Sequence, residues 1–225
     1  MQAGTLTLTG GAQIRAGSGV IEYKDDVLTT SGTGGPGRGG DVTVKATESI
    51  TIAGRDNDGN YSGLVNATVN KGDAGRLSIS APVLQMDGGR ISASTIGEGN
   101  AGNIDVQVGQ LTLTGGAFIA TGAAIRKFTD SRLPLINTGG LGRAGELTVS
   151  ATESISLLGG SALFAVTGGK GNAGKLSVSA PVLLITGGDI AGGLFTITVA
   201  EGNAGDIDVQ VGKLTLQHGG GIFTG

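Results

Sequence analysis

Apolar and polar residues alternate in short runs along the chain. One representative segment contains three such runs, of which the first ends at Gly109 and the second at Gly115-Gly116. Its apolar positions are Ile104, Val106, Val108, Leu111, Leu113, Ala117 and Ile119, and Phe118 is among the residues between them. A period of two is typical of β-strands with one buried and one exposed face. The pattern therefore predicts units of three short strands separated by glycine turns.

Nearly identical segments recur about a hundred residues apart, a spacing that indicates a repeat architecture. Three segments return in the same order, at offsets of 103, 99 and 105 residues: 99–109 at 202–212, 74–84 at 173–183, and 40–50 at 145–155. The long repeat of about 103 residues thus consists of three shorter units with a common pattern.

The units predict an all-β chain that folds as a right-handed parallel β-helix, a three-sided β-solenoid. Residues 1–225 would form one such fragment, with about seven coils and a length of about 35 Å at the spacing of neighbouring strands. Each coil would bury its apolar side chains only against its neighbours. An antiparallel β-sandwich is the alternative, but it does not explain why whole segments repeat almost verbatim.

Composition narrows the function classes. The chain has no cysteine and a single histidine, His218, so it offers neither a Cys/His catalytic pair nor a zinc site with several histidines. The net charge is −3 and no basic stripe is present, so nucleic acid is not an expected partner. No apolar run is long enough to span a membrane. We expect no cofactor, and we interpret His218 as an exposed turn residue.

The residues Gly-Asn-Ala-Gly-Asn-Ile-Asp-Val-Gln-Val-Gly at 99–109, together with Ala-Thr-Glu-Ser-Ile at 151–155, resemble a known family. They are similar to the repeat region of filamentous-haemagglutinin-like exoproteins of two-partner secretion, especially the cyanobacterial members. The resemblance covers nearly the whole chain and implies a right-handed parallel β-helix that is exported across the outer membrane. The family's secretion domain carries Asn-Pro motifs, whereas this chain has no Asn-Pro pair, so no export signal can be assigned here. No signal peptide opens the chain, and Met1 falls within a repeat unit, which indicates an excised or truncated piece.

Glycine-rich turns match the pattern Gly-x-Gly-x-x-Gly, as at Gly97, Gly99 and Gly102. A dinucleotide-binding loop would need a helix after the glycines, but a strand pattern follows them. We therefore expect coil corners, in which glycine supplies a positive φ.

Carboxylates are the remaining candidates for catalysis, since some β-helices cleave polysaccharides. Asp206 and Asp208 lie on one strand face, and Asp105 is the repeat equivalent of Asp208. Three coils would separate Asp105 from Asp208 by about 14 Å, beyond the roughly 5–9.5 Å of a glycosidase pair. We predict solvated strand positions and no enzyme activity, and keep a polysaccharide-acting lyase or glycosidase as the alternative.

Three insertions interrupt the regular pattern, at residues 15–39, 55–61 and 122–141. The first and third occupy the same place in the long repeat, so we expect them to project from one side. Loops on rigid scaffolds often bind partners. Insertions without a function are also tolerated in surface loops and would give the same sequence pattern. The candidate recognition residues are Tyr23, Lys24, Asp25, Arg126, Lys127, Phe128 and Arg132.

The sequence thus favours a structural stalk, the adhesive repeat region of a large exoprotein. We expect it to be secreted or held at the outer surface of a Gram-negative-type bacterium. Its expected partners are a cell-surface glycan, matrix or protein receptor, and an outer-membrane transporter during export. Unpaired strand edges at the ends of the rod also predict end-to-end self-association.

Overall fold

A computed structural model describes residues 1–18, 20–24, 27–31, 37–123, 125–128, 134–136, 141–188, 192–199 and 201–225 of the chain. Of residues 20–24, 27–31, 70, 125–128 and 134–136 it describes the backbone. The described residues form strands and no helix, which confirms the predicted all-β class.

The strands in chain order are β1 Gln2–Thr9, β2 Gln13–Ala16, β3 Val20–Lys24, β4 Val27–Ser31, β5 Val42–Ala53, β6 Gly63–Asn70, β7 Leu77–Asp87, β8 Arg90–Gly97, β9 Ile104–Thr114, β10 Phe118–Ala123, β11 Ile125–Phe128, β12 Pro134–Ile136, β13 Leu147–Leu157, β14 Ala162–Thr167, β15 Leu176–Thr186, β16 Gly193–Thr198, β17 Ile207–Gln217 and β18 Gly221–Thr224.

Two parallel sheets of seven strands each make up the body of the molecule. The long sheet has the order β1-β5-β7-β9-β13-β15-β17, and the short sheet has the order β2-β6-β8-β10-β14-β16-β18. Each long strand is followed along the chain by the short strand at the same level, and this pair is called a unit below. Successive units therefore lie side by side in both sheets.

The main hydrophobic core lies between the two sheets and runs through all units. It takes Leu111 and Leu113 from the long sheet and Ile119 from the short sheet, all of them fully buried. Corresponding residues in neighbouring units are also large and aliphatic, so each unit completes the burial of the next.

Each unit has two strands where the sequence pattern predicted three. Gly109 was expected to end a strand, but β9 continues through it in register with β7 as far as Thr114. The buried positions nevertheless change phase there, because both Gly109 and Gln110 point away from the core between Val108 and Leu111. The alternation of side chains is thus interrupted, whereas the pairing with β7 continues and the pairing with β13 shifts by one residue.

The segments between a short strand and the next long strand form a third ladder of backbone hydrogen bonds. The amide of Ala74 donates to the Asn100 carbonyl at 2.8 Å, and the amide of Ala101 donates to the Arg143 carbonyl at 2.9 Å. Equivalent bonds recur in later units, from Ala144 to Asn172 and from Ala173 to Asn203. Backbone groups of these segments are therefore satisfied by the neighbouring unit, as they are within the sheets.

Glycines in this third ladder act through close backbone contact, so the expected positive φ is wrong for them. A Cβ atom on Gly102 would come closer than 3.0 Å to the carbonyl oxygen of Gly75, and one on Gly145 would meet the oxygen of Gly102 in the same way. Most glycines with positive φ lie at the turn between the long and the short strand, for example Gly115 at 60°, although Gly97, the first glycine of the predicted corner, also has a positive φ, of 143°. In the turn between β17 and β18, His218 takes the place that Gly115 holds in its own unit, with a φ of 49°.

Buried polar side chains of the short sheet hold the glycine segments in place. The Thr121 hydroxyl donates to the Gly102 carbonyl at 2.8 Å and accepts from the Gly145 amide at 2.9 Å. The Asn66 amide group donates to the Gly40 carbonyl at 2.7 Å and its oxygen accepts from the Gly75 amide at 3.2 Å. Each of these side chains thus joins two successive units from inside the molecule.

Candidate recognition face

Two hairpins leave the body at corresponding places. Strands β3 and β4 pair antiparallel between β2 and β5, and strands β11 and β12 pair antiparallel between β10 and β13. In both cases the hairpin follows a short strand and precedes a long one. Strand β11 has Cα atoms within 8 Å of β4 and of β8, and β3 has Cα atoms within 8 Å of β6. The hairpins therefore lie close to each other and to the short sheet.

The predicted recognition residues belong to these hairpins. Tyr23 and Lys24 lie at the end of β3, and the remaining predicted positions on β11 are Arg126, Lys127 and Phe128. Asp25 and Arg132 lie outside the described residues. Binding by these positions stays a prediction.

The third predicted loop, residues 55–61, is organised by the Asp56 carboxylate. Its oxygens accept hydrogen bonds from the Asn60 side chain at 2.8 Å, the Asn60 amide at 2.8 Å and the Asp58 amide at 2.9 Å. The bonds from the side chain and backbone of Asn60, followed by the bond from Asp58, hold the pKa of Asp56 below its ordinary value. The carboxylate is thus the form that shapes the loop, which leaves Arg55, Asn57 and Asp58 exposed.

Tyr61 connects this loop to the outer face of the short sheet. Its ring is buried, and the guanidinium carbon of Arg55 lies 3.8 Å from the ring centroid. The buried Arg90 approaches the same ring, with its guanidinium carbon at 5.9 Å. Both distances suit cation–π attraction. Tyr61 also packs edge-on against Phe118 at a centroid distance of 5.5 Å.

A row of aromatic rings continues from Tyr61 along the outer face of the short sheet. Phe118 and Phe164 are edge-on at 6.5 Å, Phe164 and Phe195 are stacked at 5.2 Å, and Phe195 and Phe223 are stacked at 5.4 Å. Phe164, Phe195 and Phe223 occupy one register position in successive strands. The interplanar angles of 20° and 11° in the last two pairs are those of a regular ladder.

The sequence interpretation missed this aromatic row. It placed Phe118 among the residues that face away from the main core, which is correct, but Tyr61 and Phe164 pack against Phe118 on the outer face and leave it 5% exposed. A signal was present in the sequence, because four of the five phenylalanines come two to four residues after a pair of glycines: Phe118, Phe164, Phe195 and Phe223.

The carboxylates considered for catalysis lie beside basic side chains of neighbouring units. Asp208 is 3.6 Å from Lys175, and Asp105 is 3.5 Å from Arg76. Within the part of the chain that the structure describes, no three His, Cys, Asp or Glu residues form a group that could hold a metal ion. His218 is an exposed turn residue, as predicted, and it occupies the position that Gly115 holds in its own unit.

The chain has no significant match among protein-family models, curated proteins or solved structures. Among the described residues, the structure contains no helix with the length and apolar character needed to cross a membrane.

Proposed function

We propose that this chain is a stiff repeat segment of a secreted or cell-surface exoprotein, a filamentous-haemagglutinin-like stalk that mediates adhesion or matrix contact. The observation that carries the proposal is the stacking of seven units in two parallel sheets, with paired hairpins on one side. The stacked body supplies rigidity, and the hairpins supply variable surface.

A three-sided, right-handed β-helix is the architecture that we assign to the stacked units. The third ladder of backbone hydrogen bonds supports a third side, because it repeats between units as the sheet ladders do. Crossovers between parallel neighbouring strands are right-handed in nearly all proteins, which supports the handedness.

Stiffness follows from the way the units are joined. Each unit is bound to the next by the two sheet ladders and by the continuous core, and the third ladder joins the segments between units. Such arrays extend by adding units, without a new core design for each length. A molecule of this kind suits the display of binding sites at a distance from a surface.

Adhesion is assigned to the face with the hairpins and the loop 55–61. Loops held by a rigid scaffold are common binding sites, and the β11 backbone brings Arg126, Lys127 and Phe128 together on one strand. Basic and aromatic residues of this kind recognise acidic or ring-containing groups, which are abundant in surface glycans.

The test is binding of the intact chain to an array of acidic and neutral glycans and to immobilised matrix proteins. One variant replaces Tyr23, Lys24, Asp25, Arg126, Lys127, Phe128 and Arg132 by alanine. A control variant replaces Thr43, Thr148 and Ser177, which lie on the outer face of the long sheet.

We expect the intact chain and the control to bind the same ligand, and the hairpin variant to lose that binding. Equal binding by all three proteins would show that the hairpin residues do not contribute to binding. The absence of any binding by the intact chain would overturn the adhesive function, and cleavage of an acidic polysaccharide would replace it by an enzymatic one.

A further inference from the structure

A second apolar cluster lies on the outer face of the short sheet, apart from the main core. Leu64 belongs to the main core, so its neighbour Val65 points to the other side of β6. Val65, Ala67 and Ile96 are nevertheless buried, and they pack together on this outer face. Parts of the molecule outside the two sheets must therefore cover it.

The two hairpins are close enough to supply this cover. Strand β3 has Cα atoms within 8 Å of β6, and strand β11 has Cα atoms within 8 Å of β8. Strands β11 and β4 approach each other within the same distance. The hairpins leave the body three units apart, after β2 and after β10, and they meet at the level of β6 and β8, which lie between those strands in the short sheet.

The size of the outward side chains along the short sheet agrees with this placement. Two register rows cross its outer face: Val65, Ser92, Ala120, Phe164, Phe195 and Phe223 in the first, and Ala67, Ser94, Gly122, Val166 and Ile197 in the second. On β8 and β10 these rows hold only serine, alanine and glycine, whereas from β14 onward they hold phenylalanine, valine, isoleucine and no small side chain. Small side chains on a sheet face leave room for another backbone to approach closely.

The space above the small residues is filled. Ser92 is 5% exposed and Ala120 is 2% exposed, although both point away from the main core. Because protein interiors are closely packed, a larger side chain at these positions would displace the group that covers them. The hairpin strands also bring apolar residues with which such a surface can be covered: Val20, Ile21, Val27, Leu28, Ile125, Leu135 and Ile136.

We propose that the outer face of β6 and β8 docks both hairpins and joins them into one composite binding surface. We call this face the platform and define it by Val65, Ala67, Ser92, Ser94 and Ile96. Its residues are positioning residues, because they hold the hairpins and contact no ligand themselves. The composite surface takes an extended ligand, such as an oligosaccharide, that touches both hairpins at once.

The role of the composite surface in binding rests on the proposed adhesive function, whereas the docking of the hairpins on the platform does not. The two claims are therefore tested by separate measurements on the intact chain. Limited trypsin digestion reports docking, since Lys24 lies on β3 and Lys127 on β11, so each hairpin has its own cleavage site. The rate of cutting follows the population of the open form.

Ser92→Phe is the variant that tests docking. It places a phenylalanine in the row that holds phenylalanine in β14 and β16, so the sheet itself accommodates it. We expect cleavage after both Lys24 and Lys127 to become about five- to a hundredfold faster, the effect of overpacking a filled site. Ser94→Ile is a milder second variant, with the residue that Ile197 supplies in the same row, and should act in the same direction.

Ser156→Phe is the matched control, because it adds the same side chain to the half-buried outer face of β13 in the long sheet. Ser92→Ala keeps the small size of the residue. Both should leave the cleavage rates at Lys24 and Lys127 unchanged. Equal rates in all variants would overturn the platform, and faster cleavage at only one lysine would overturn the composite surface.

Binding to the array of acidic and neutral glycans is the second measurement. Ser92→Phe should lose the binding that the intact chain, Ser92→Ala and Ser156→Phe retain. Retained binding by Ser92→Phe, with both hairpins cut faster, would show that each hairpin binds alone and would overturn the composite surface. A chain that binds no glycan or matrix protein would end the adhesive function, while the cleavage rates would still decide whether the platform holds the hairpins.

Discussion

At the scale of single residues, the spacing of the units is set by glycines that lack room for a side chain. Gly75, Gly102, Gly145 and Gly174 follow one another along the third ladder, and each is in close contact with a glycine carbonyl of the preceding unit. The sequence shows that glycine is required there, but not why, because a positive φ and a close contact require the same residue. The structure separates the two causes, because a Cβ atom at each of these positions would overlap a carbonyl group.

Gly102→Ala tests the contact directly. The added methyl group would overlap the Gly75 carbonyl, so the units must separate locally. We expect a loss of about 1–3 kcal/mol in the free energy of unfolding, as for other overpacked sites, measured by urea denaturation.

Gly40→Ala is the matched control, since Gly40 holds the same position in its unit and a Cβ there has no neighbour within 4 Å. Its effect should stay within about 0.5 kcal/mol, as for ordinary surface changes. Similar losses in both variants would show that backbone freedom, and not contact between units, accounts for the glycines.

At the scale of elements, the alternation in the sequence predicted strands and their buried positions, such as Ile104, Val106, Leu111 and Leu113, but not the length of the long strands. It failed at the middle of the long strands. The change of phase at Gly109 looks like the end of a strand in the sequence, although the pairing of β9 with β7 continues through it. It also failed on the outer face of the short sheet, where a period of two predicts exposure. The burial of Phe118 there depends on Tyr61, which is distant in sequence and brought close by the fold. The hairpins themselves carry no repeat pattern from which their side chains could be placed.

The aromatic row should contribute to stability in proportion to its burial. Phe195 is 7% exposed and stacks on rings to both sides, whereas Phe223 is 50% exposed and stacks on one. We expect Phe195→Ala to cost about 3–5 kcal/mol and Phe223→Ala about half as much, because less apolar area is lost. Thermal unfolding followed by circular dichroism compares the two, and equal losses would mean that the row is not a packed ladder.

At the scale of the whole molecule, every ladder runs in the same direction. The two sheets, the third ladder, the core and the aromatic row all pass from unit to unit, so the molecule is ordered along one axis. Ion pairs between neighbouring units, such as Lys170 with Glu201 at 3.3 Å, follow the same axis on the surface. Exposed pairs of this kind add little stability, so the rigidity on which a stalk depends comes from the backbone ladders and the core.

The measurement that tests this account most directly is a series of electron-spin distances along the long sheet. The chain has no native cysteine, so spin labels on introduced cysteines report only the chosen positions. Thr43, Thr148, Ser177 and Asp208 share one register position. The pairs 43/148, 43/177 and 43/208 should therefore give backbone separations of about 14, 19 and 24 Å, one strand spacing more at each step. Distances that fail to grow in this order would contradict the stacked-unit architecture, and with it the stalk.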